Sequence, residues 1–156
     1  MSEINLSDQR AAMALLFAER DRLGVRPESL RKRGRVAINS AQYWLRGDAS
    51  PSIRNLVSFA SALGFDVFLV QTPRASGAGP REISLTDQRG AMAALFAEKD
   101  RAGLTVFDLE VKSGISAKAA YSWRAGRQSP ALANLVALAQ ALGFEIILRR
   151  AKTWQQ

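Results

Sequence analysis

The sequence predicts a mainly α protein made of two tandem copies of one small unit, each copy four helices followed by a C-terminal β-strand. Three observations carry this. The chain matches itself without a gap at an offset of about 79 residues: Glu3-Ile4-Asn5-Leu6-Ser7-Asp8-Gln9-Arg10 returns as Glu82-Ile83-Ser84-Leu85-Thr86-Asp87-Gln88-Arg89, and about 31 of roughly 69 aligned positions are identical. Apolar residues recur at helical spacing, as in Ile53, Leu56, Val57, Ala60 and Leu63, and again in Leu132, Leu135, Val136, Ala139 and Leu142. After Gly64 and Gly143 the period changes, and Phe65–Val70 and Phe144–Arg149 are rich in β-branched and aromatic residues, which reads as a strand. The expected boundaries are residues 1–71 for the first domain, 72–81 for a linker, 82–150 for the second domain and 151–156 for a tail.

Each unit opens on a short Ile-x-Leu segment, Ile4/Leu6 and Ile83/Leu85. Ser7 and Thr86 follow as expected N-caps, with Asp8 and Asp87 behind them favouring the positive helix end. The first helix is expected over Asp8–Leu23 and Asp87–Ala102, with Ala12, Leu16 or Leu15, and Phe17 inward and Gly24 and Gly103 as stops. A second helix follows at Pro27–Arg33, where Pro suits the first helical position, and at Val106–Ser113 behind a Thr105 cap. After a tight turn comes a third helix, Ile38–Arg46 and Ala117–Ala125, ended by Gly47 and Gly126. Ser50-Pro51 and Ser129-Pro130 introduce the fourth, Ser52–Leu63 and Ala131–Leu142. Thr72–Arg81 reads as a flexible linker able to span on the order of 30 Å. Trp44 and Trp123 sit at core-anchor spacing, and Trp154 falls in the tail, either capping the strand or disordered.

Composition narrows the function. With 156 residues and 47% hydrophobic content the chain can bury real cores, but units of about 70 residues lie near the lower size limit for independent folding, so docking of the two would help. Lys+Arg number 22 against 14 Asp+Glu, a net +8 shared by both halves, and the pI near 10.8 suits a polyanion partner. A close duplication suggests two similar surfaces facing a nearly two-fold partner, of which double-stranded DNA is the commonest. The chain has no Cys, which excludes disulfides, thiolate metal sites and Cys nucleophiles, and no His, the commonest general base and metal ligand. No apolar run approaches the roughly 18 residues of a membrane span and no signal peptide is visible at Met1-Ser2-Glu3, so the expectation is a cytoplasmic chain away from membranes. The repeated acids Glu19/Asp21 and Glu98/Asp100 lie among basic neighbours at a helix end, where ion pairing is the ordinary explanation. No Gly-rich phosphate loop follows either strand. The expectation is therefore no enzyme, no cofactor and no metal.

The segment from Leu104 to Pro130 resembles the helix-turn-helix of lambda-repressor-like (Cro, XRE) regulators. Thr105 matches the cap of the second helix, Leu109 its inward residue, Gly114 the left-handed turn, Ile115 the core plug and Ser116 the cap of the recognition helix. Ala120 and Trp123 match its anchors, and Gly126 with Pro130 the following loop. With the flanking helices the resemblance covers nearly all of each unit. It implies that Ala117, Lys118, Tyr121 and Ser122 read base edges, that Ser116, Arg127 and Gln128 hold phosphates, and that Lys118 meets guanine. A short helix with small residues on its exposed N-terminal half also suits a major groove about 12 Å wide, and free N–H groups at its start suit phosphate.

The first unit matches more loosely. Its corresponding residues are Ala37, Ile38, Asn39, Gln42 and Tyr43, with Arg46 at the helix end; Asn39 and Gln42 would read adenine and Ile38 a thymine methyl. Arg35 stands where the turn glycine belongs, with Gly34 one place early, so the turn is expected to be remodelled. Arg31, Lys32, Arg33 and Arg35 form either a phosphate clamp or a solvated charged face. A Glu that the family commonly places near the end of the recognition helix is absent, its positions being Leu45 and Arg124, and Arg124 becomes an extra groove-side cation. The family's usual fifth helix is replaced by the strand, as in HipB-like regulators, whose C-terminal strands pair. Two arrangements follow: the two strands pair within one chain as a monomeric pseudo-two-fold dimer, or like strands pair between chains in a homodimer. The expected function is a sequence-specific DNA-binding transcriptional regulator recognising an imperfect palindrome. The alternative is an antitoxin- or antiactivator-like module that binds a protein partner through one domain, an idea supported by apolar Val36 and Ile38.

Overall fold

The structure, a computed structural model, describes residues 3–34, 38–72 and 81–152. Among these, the elements run β1 (Glu3–Asn5), α1 (Gln9–Leu23), α2 (Pro27–Gly34), α3 (Ile38–Arg46), α4 (Ile53–Ala62), β2 (Phe65–Gln71), β3 (Glu82–Ser84), α5 (Gln88–Arg101), α6 (Val106–Ser113), α7 (Ala117–Arg124), α8 (Leu132–Ala141) and β4 (Phe144–Arg150). The protein is mainly helical with one small antiparallel sheet. Among the described residues no helix is long and apolar enough to cross a membrane.

The helix starts correct two expectations. Asp8 and Asp87, not Ser7 and Thr86, cap α1 and α5, their carboxylates accepting from the backbone N–H of Ala11 at 3.0 Å and of Gly90 at 2.9 Å. The hydroxyl residues belong to the preceding turn: Ser7 donates its N–H to Asn5 Oδ1 at 2.9 Å, and Thr86 its N–H to Ser84 Oγ at 3.3 Å. The starts of α4 and α8 are built jointly by the two halves. Ser52 caps α4, whereas Ala131 brings no side-chain cap to α8. Ser50 Oγ accepts instead from Ala133 N–H, and Ser129 Oγ from Arg54 N–H, both at 3.0 Å. Ile53 N–H reaches Pro130 O at 2.8 Å and Leu132 N–H reaches Pro51 O at 2.7 Å, so orphan donors of each helix are satisfied from the other half.

Sheet order is β1-β4-β2-β3, antiparallel throughout. The long central strands pair over their whole length with Phe68 opposite Ile147, the same position of the repeat, as are the bridged Ser52 and Ala131. The edges cross over: β1 of the first half pairs with β4, and β3 of the second half with β2. These two edge strands were not expected from the sequence. Both ends of the expected linker are fixed to the sheet, Thr72 donating N–H and Oγ1–H to Gly143 O at 2.8 and 2.6 Å, and Arg81 O accepting from Gln71 N–H at 2.8 Å. Residues 73–80 and Trp154 lie outside the described residues.

One apolar core runs through both halves, joining Leu16, Leu56, Phe59 and Phe65 to Leu95, Leu135, Phe144 and Leu148. Each fully buried side chain of this size stabilises the fold by roughly 1.5–3 kcal/mol. Trp44 and Trp123 are both 5% exposed and serve as the expected anchors. Trp44 meets the edge of Phe59 with ring centroids 6.0 Å apart.

Two ion-pair hubs sit on β4. Arg149 bonds Glu3 on β1 at 2.8 Å and Glu82 on β3 at 2.8 and 3.1 Å, so one guanidinium ties both edge strands. It also lies 4.9 Å from the centroid of the Phe68 ring. Glu19 on α1, its side chain 6% exposed, is gripped by Arg22 at 2.5 and 3.1 Å and by Arg150 at 3.0 and 3.3 Å. These guanidiniums, Arg22 first, hold the Glu19 carboxyl at about 2 against an ordinary 4.5. A carboxyl depressed on folding stabilises the native state above its unfolded pKa, and that contribution fades as pH falls between the two values. Stability should therefore be level above about pH 5 and decline from about 4.5 toward 2. Urea midpoints measured across this range should fall less steeply in Glu19→Gln than in the parent chain.

Candidate nucleic-acid interface

The surface built from α7 and the loop behind it begins with local chain chemistry. Thr105 and Asp108 form a reciprocal capping box at the start of α6, with bonds of 3.0 and 2.9 Å. Gly114 ends α6 at φ 77°, a conformation an L side chain adopts only under strain, and turns the chain into α7. Ser116 caps α7 by accepting from Ala119 N–H at 3.1 Å. Ala120 and Trp123 bury the inner face of α7, leaving Lys118 and Tyr121 exposed and Ser122 half-buried on the outer one.

The loop after α7 is held by a residue whose role the sequence reading missed. Gln88, at the start of α5, donates its side-chain amide to Trp123 O at 2.9 Å and to Gln128 O at 2.8 Å. Gln9 does the same for Trp44 O and Ala49 O at 2.9 and 2.8 Å in the first half. The signal was available: Asp-Gln-Arg is identical in both copies, although neither glutamine belongs to an apolar stripe. Gly126 itself is required by its φ of 75°, a left-handed conformation, and the Arg89 side chain packs against it, 2.9 Å from where a Cβ would stand. Gln88→Ala should cost about 0.5–1.5 kcal/mol, because the loop loses its tie from α5 through Gln128 O while Trp123 O keeps its bond from Gly126 N–H at 3.1 Å. The measurement is the shift in urea unfolding free energy, with a smaller shift expected from Gln140→Ala on an exposed face of α8.

Ser116, Lys118, Ala119, Tyr121, Ser122, Arg127 and Gln128 line one open depression of about 650 Å³. Six expected site residues thus meet on a single surface. Ser122 donates its hydroxyl to Gln128 Oε1 at 3.3 Å, and Arg127 N–H reaches Ser122 O at 3.0 Å, which fixes the loop against the helix.

Arg124 is exposed, its guanidinium lying over the Phe96 ring of α5, 4.6 Å from the centroid, because a planar cation packs favourably on an aromatic face. One expectation needs correction here. The start of α7 does not keep its leading N–H groups free, since Ala117 N–H donates to Glu110 Oε1 at 3.0 Å and Ala119 N–H to its own cap. Ala117 itself is half-buried and does not line the depression.

In the first half, Asn39, Gln42 and Tyr43 are exposed on α3. Arg46 lies 4.8 Å from the Tyr43 ring centroid and bonds Asp48 through Nε at 3.1 Å, so its charge is partly spent within the half. Arg31 is exposed on α2, next to Lys32. Arg35 and Ala37, with Val36, lie outside the described residues, as do the side chains of Arg33 and Ile38. The repeated acids are held by basic neighbours: Glu98 by Arg101 at 2.5 and 2.8 Å, Asp100 by Lys99 at 2.6 Å, and Asp21 by Arg20 at 3.4 Å.

No protein-family profile, curated protein or solved structure matches this chain.

Proposed function

We propose that this chain is a sequence-specific double-stranded DNA-binding transcriptional regulator of the cytoplasm, made of two tandem lambda-repressor-like helix-turn-helix units held as a pseudo-two-fold pair. The observation that carries the reading is the α7 surface, where Lys118, Tyr121, Ser122, Arg127 and Gln128 share one open depression on a helix anchored from behind by Trp123. The match of repeat-equivalent residues at Phe68–Ile147 and Ser52–Ala131 supports the pseudo-two-fold arrangement within one chain. In this reading α3 and α7 enter successive major grooves about 34 Å apart, the spacing of one helical turn. Their exposed residues differ, Asn39 and Gln42 against Lys118 and Tyr121, so the operator is an imperfect palindrome.

Selection of bound duplexes from a random library, followed by gel shifts from 50 to 200 mM salt, tests it. Affinity for the selected site should fall at least tenfold over that range, because each neutralised phosphate releases condensed counterions. Binding that ignores salt, or no duplex bound at all, would overturn the reading. A protein that co-purifies in place of nucleic acid would favour the antitoxin- or antiactivator-like alternative.

A further inference from the structure

The repeat makes each half a control for the other, and one surface breaks the match. Among the described residues the large apolar side chains left exposed are Tyr43, Tyr121, Phe107 and Val111. Phe107 and Val111 are 70% and 74% exposed, and at i and i+4 on α6 they form one outward patch. They do not line the α7 depression, and Leu109 on the same helix already supplies the buried contact. At the same repeat positions on α2 stand Glu28 and Lys32, both exposed, so the fold does not need an apolar pair there. Paired exposed apolar residues that the fold does not need mark a contact surface.

What meets that patch is indicated by the twin helix. At α2 the surface carries a hollow of about 500 Å³ lined, among the described residues, by Pro27, Glu28, Arg31 and Lys32. Long Arg and Lys stems offer methylene surface beneath charged heads, and those heads pack well against an aromatic face. The helices also differ in sign: Pro27–Gly34 holds one acid and three bases, Val106–Ser113 two acids and one base. A protruding apolar pair on a helix of two acids and one base thus faces a hollow whose described lining holds two bases, Arg31 and Lys32, and one acid, Glu28.

We infer that α6 of one copy of this chain seats Phe107 and Val111 in the α2 hollow of a second copy. Because the two surfaces are different patches, the contact is head-to-tail: a pair of copies keeps one free patch and one free hollow, and the array can grow. The contact itself does not depend on the DNA-binding reading. Its use in filling neighbouring duplex sites cooperatively does.

Sedimentation velocity of the full chain without DNA, from micromolar to hundreds of micromolar, tests it. The mass should rise with concentration from 17.0 kDa past twice that value. The double variant Phe107→Glu/Val111→Lys, which installs the residues the twin half already tolerates, should stay at 17.0 kDa, and so should Arg31→Glu/Lys32→Glu. An equimolar mixture of the two variants should recover a complex of two copies and no more, because one supplies the hollow and the other the patch. Circular dichroism of each variant should match the parent, which separates lost contact from lost fold. A parent chain that stays at 17.0 kDa, or either variant associating alone, would overturn the inference.

Discussion

Leu148→Pro unfolds both halves of the chain, and not only the half that carries it. Leu148 is fully buried on β4, between Ile4 of β1 and Val67 of β2. Truncating a buried Leu typically costs about 2–5 kcal/mol. Proline also removes a ladder donor from a central strand, where it is not tolerated. Against a total stability of about 5–15 kcal/mol, the combined loss removes the folded state. Both halves share the consequence because β4 carries the first half's β1 and β2, and one core joins them. Far-UV circular dichroism should show helicity lost throughout, and the milder Leu148→Ala should melt in a single lowered transition. Half of the helical signal surviving Leu148→Pro would refute a shared core.

Lys118→Ala lowers operator affinity by about 5–150-fold, equivalent to about 1–3 kcal/mol, and relaxes preference at one base pair. The ammonium is exposed at the first turn of α7, where the helix approaches the groove in the proposed reading. Arg127→Ala should act differently. Its side chain is exposed on the loop, and removing a phosphate contact weakens all duplexes alike while reducing the salt slope by about one unit. Anisotropy titrations on the selected operator and on single-base variants separate the two patterns. Equal losses from both substitutions with base preference unchanged would deny Lys118 a reading role.

Much of this architecture was legible because it is written twice. Spacing such as Leu132, Leu135, Val136 and Ala139 reports a helix face directly, and the change of period at Phe65 and Phe144 reports a strand. The residues of the α7 depression were legible only through the resemblance to a lambda-repressor-like recognition helix, which picks out Lys118, Tyr121 and Ser122 by position. What stayed hidden depends on groups far apart in the chain. Three residues at Glu3–Asn5 or Glu82–Ser84 show too little alternation to announce a strand, and each becomes one only because the other half presents an open edge. Arg150 reaches Glu19 across 131 positions, and no local pattern encodes that pairing. The misassigned caps have a local cause: Ser7 and Asp8 are both good cap residues, and the turn's own hydrogen bond from Ser7 N–H to Asn5 leaves the cap to Asp8.

The pairing of β2 with β4 inside one polypeptide has a consequence for behaviour at cellular scarcity. Two separate subunits joined by such strands would come apart on dilution, and a bivalent reader would lose its avidity just when copies are few. Here the alignment of the two helical faces is set by covalent tethering, so in the proposed reading a lone molecule arrives already bivalent.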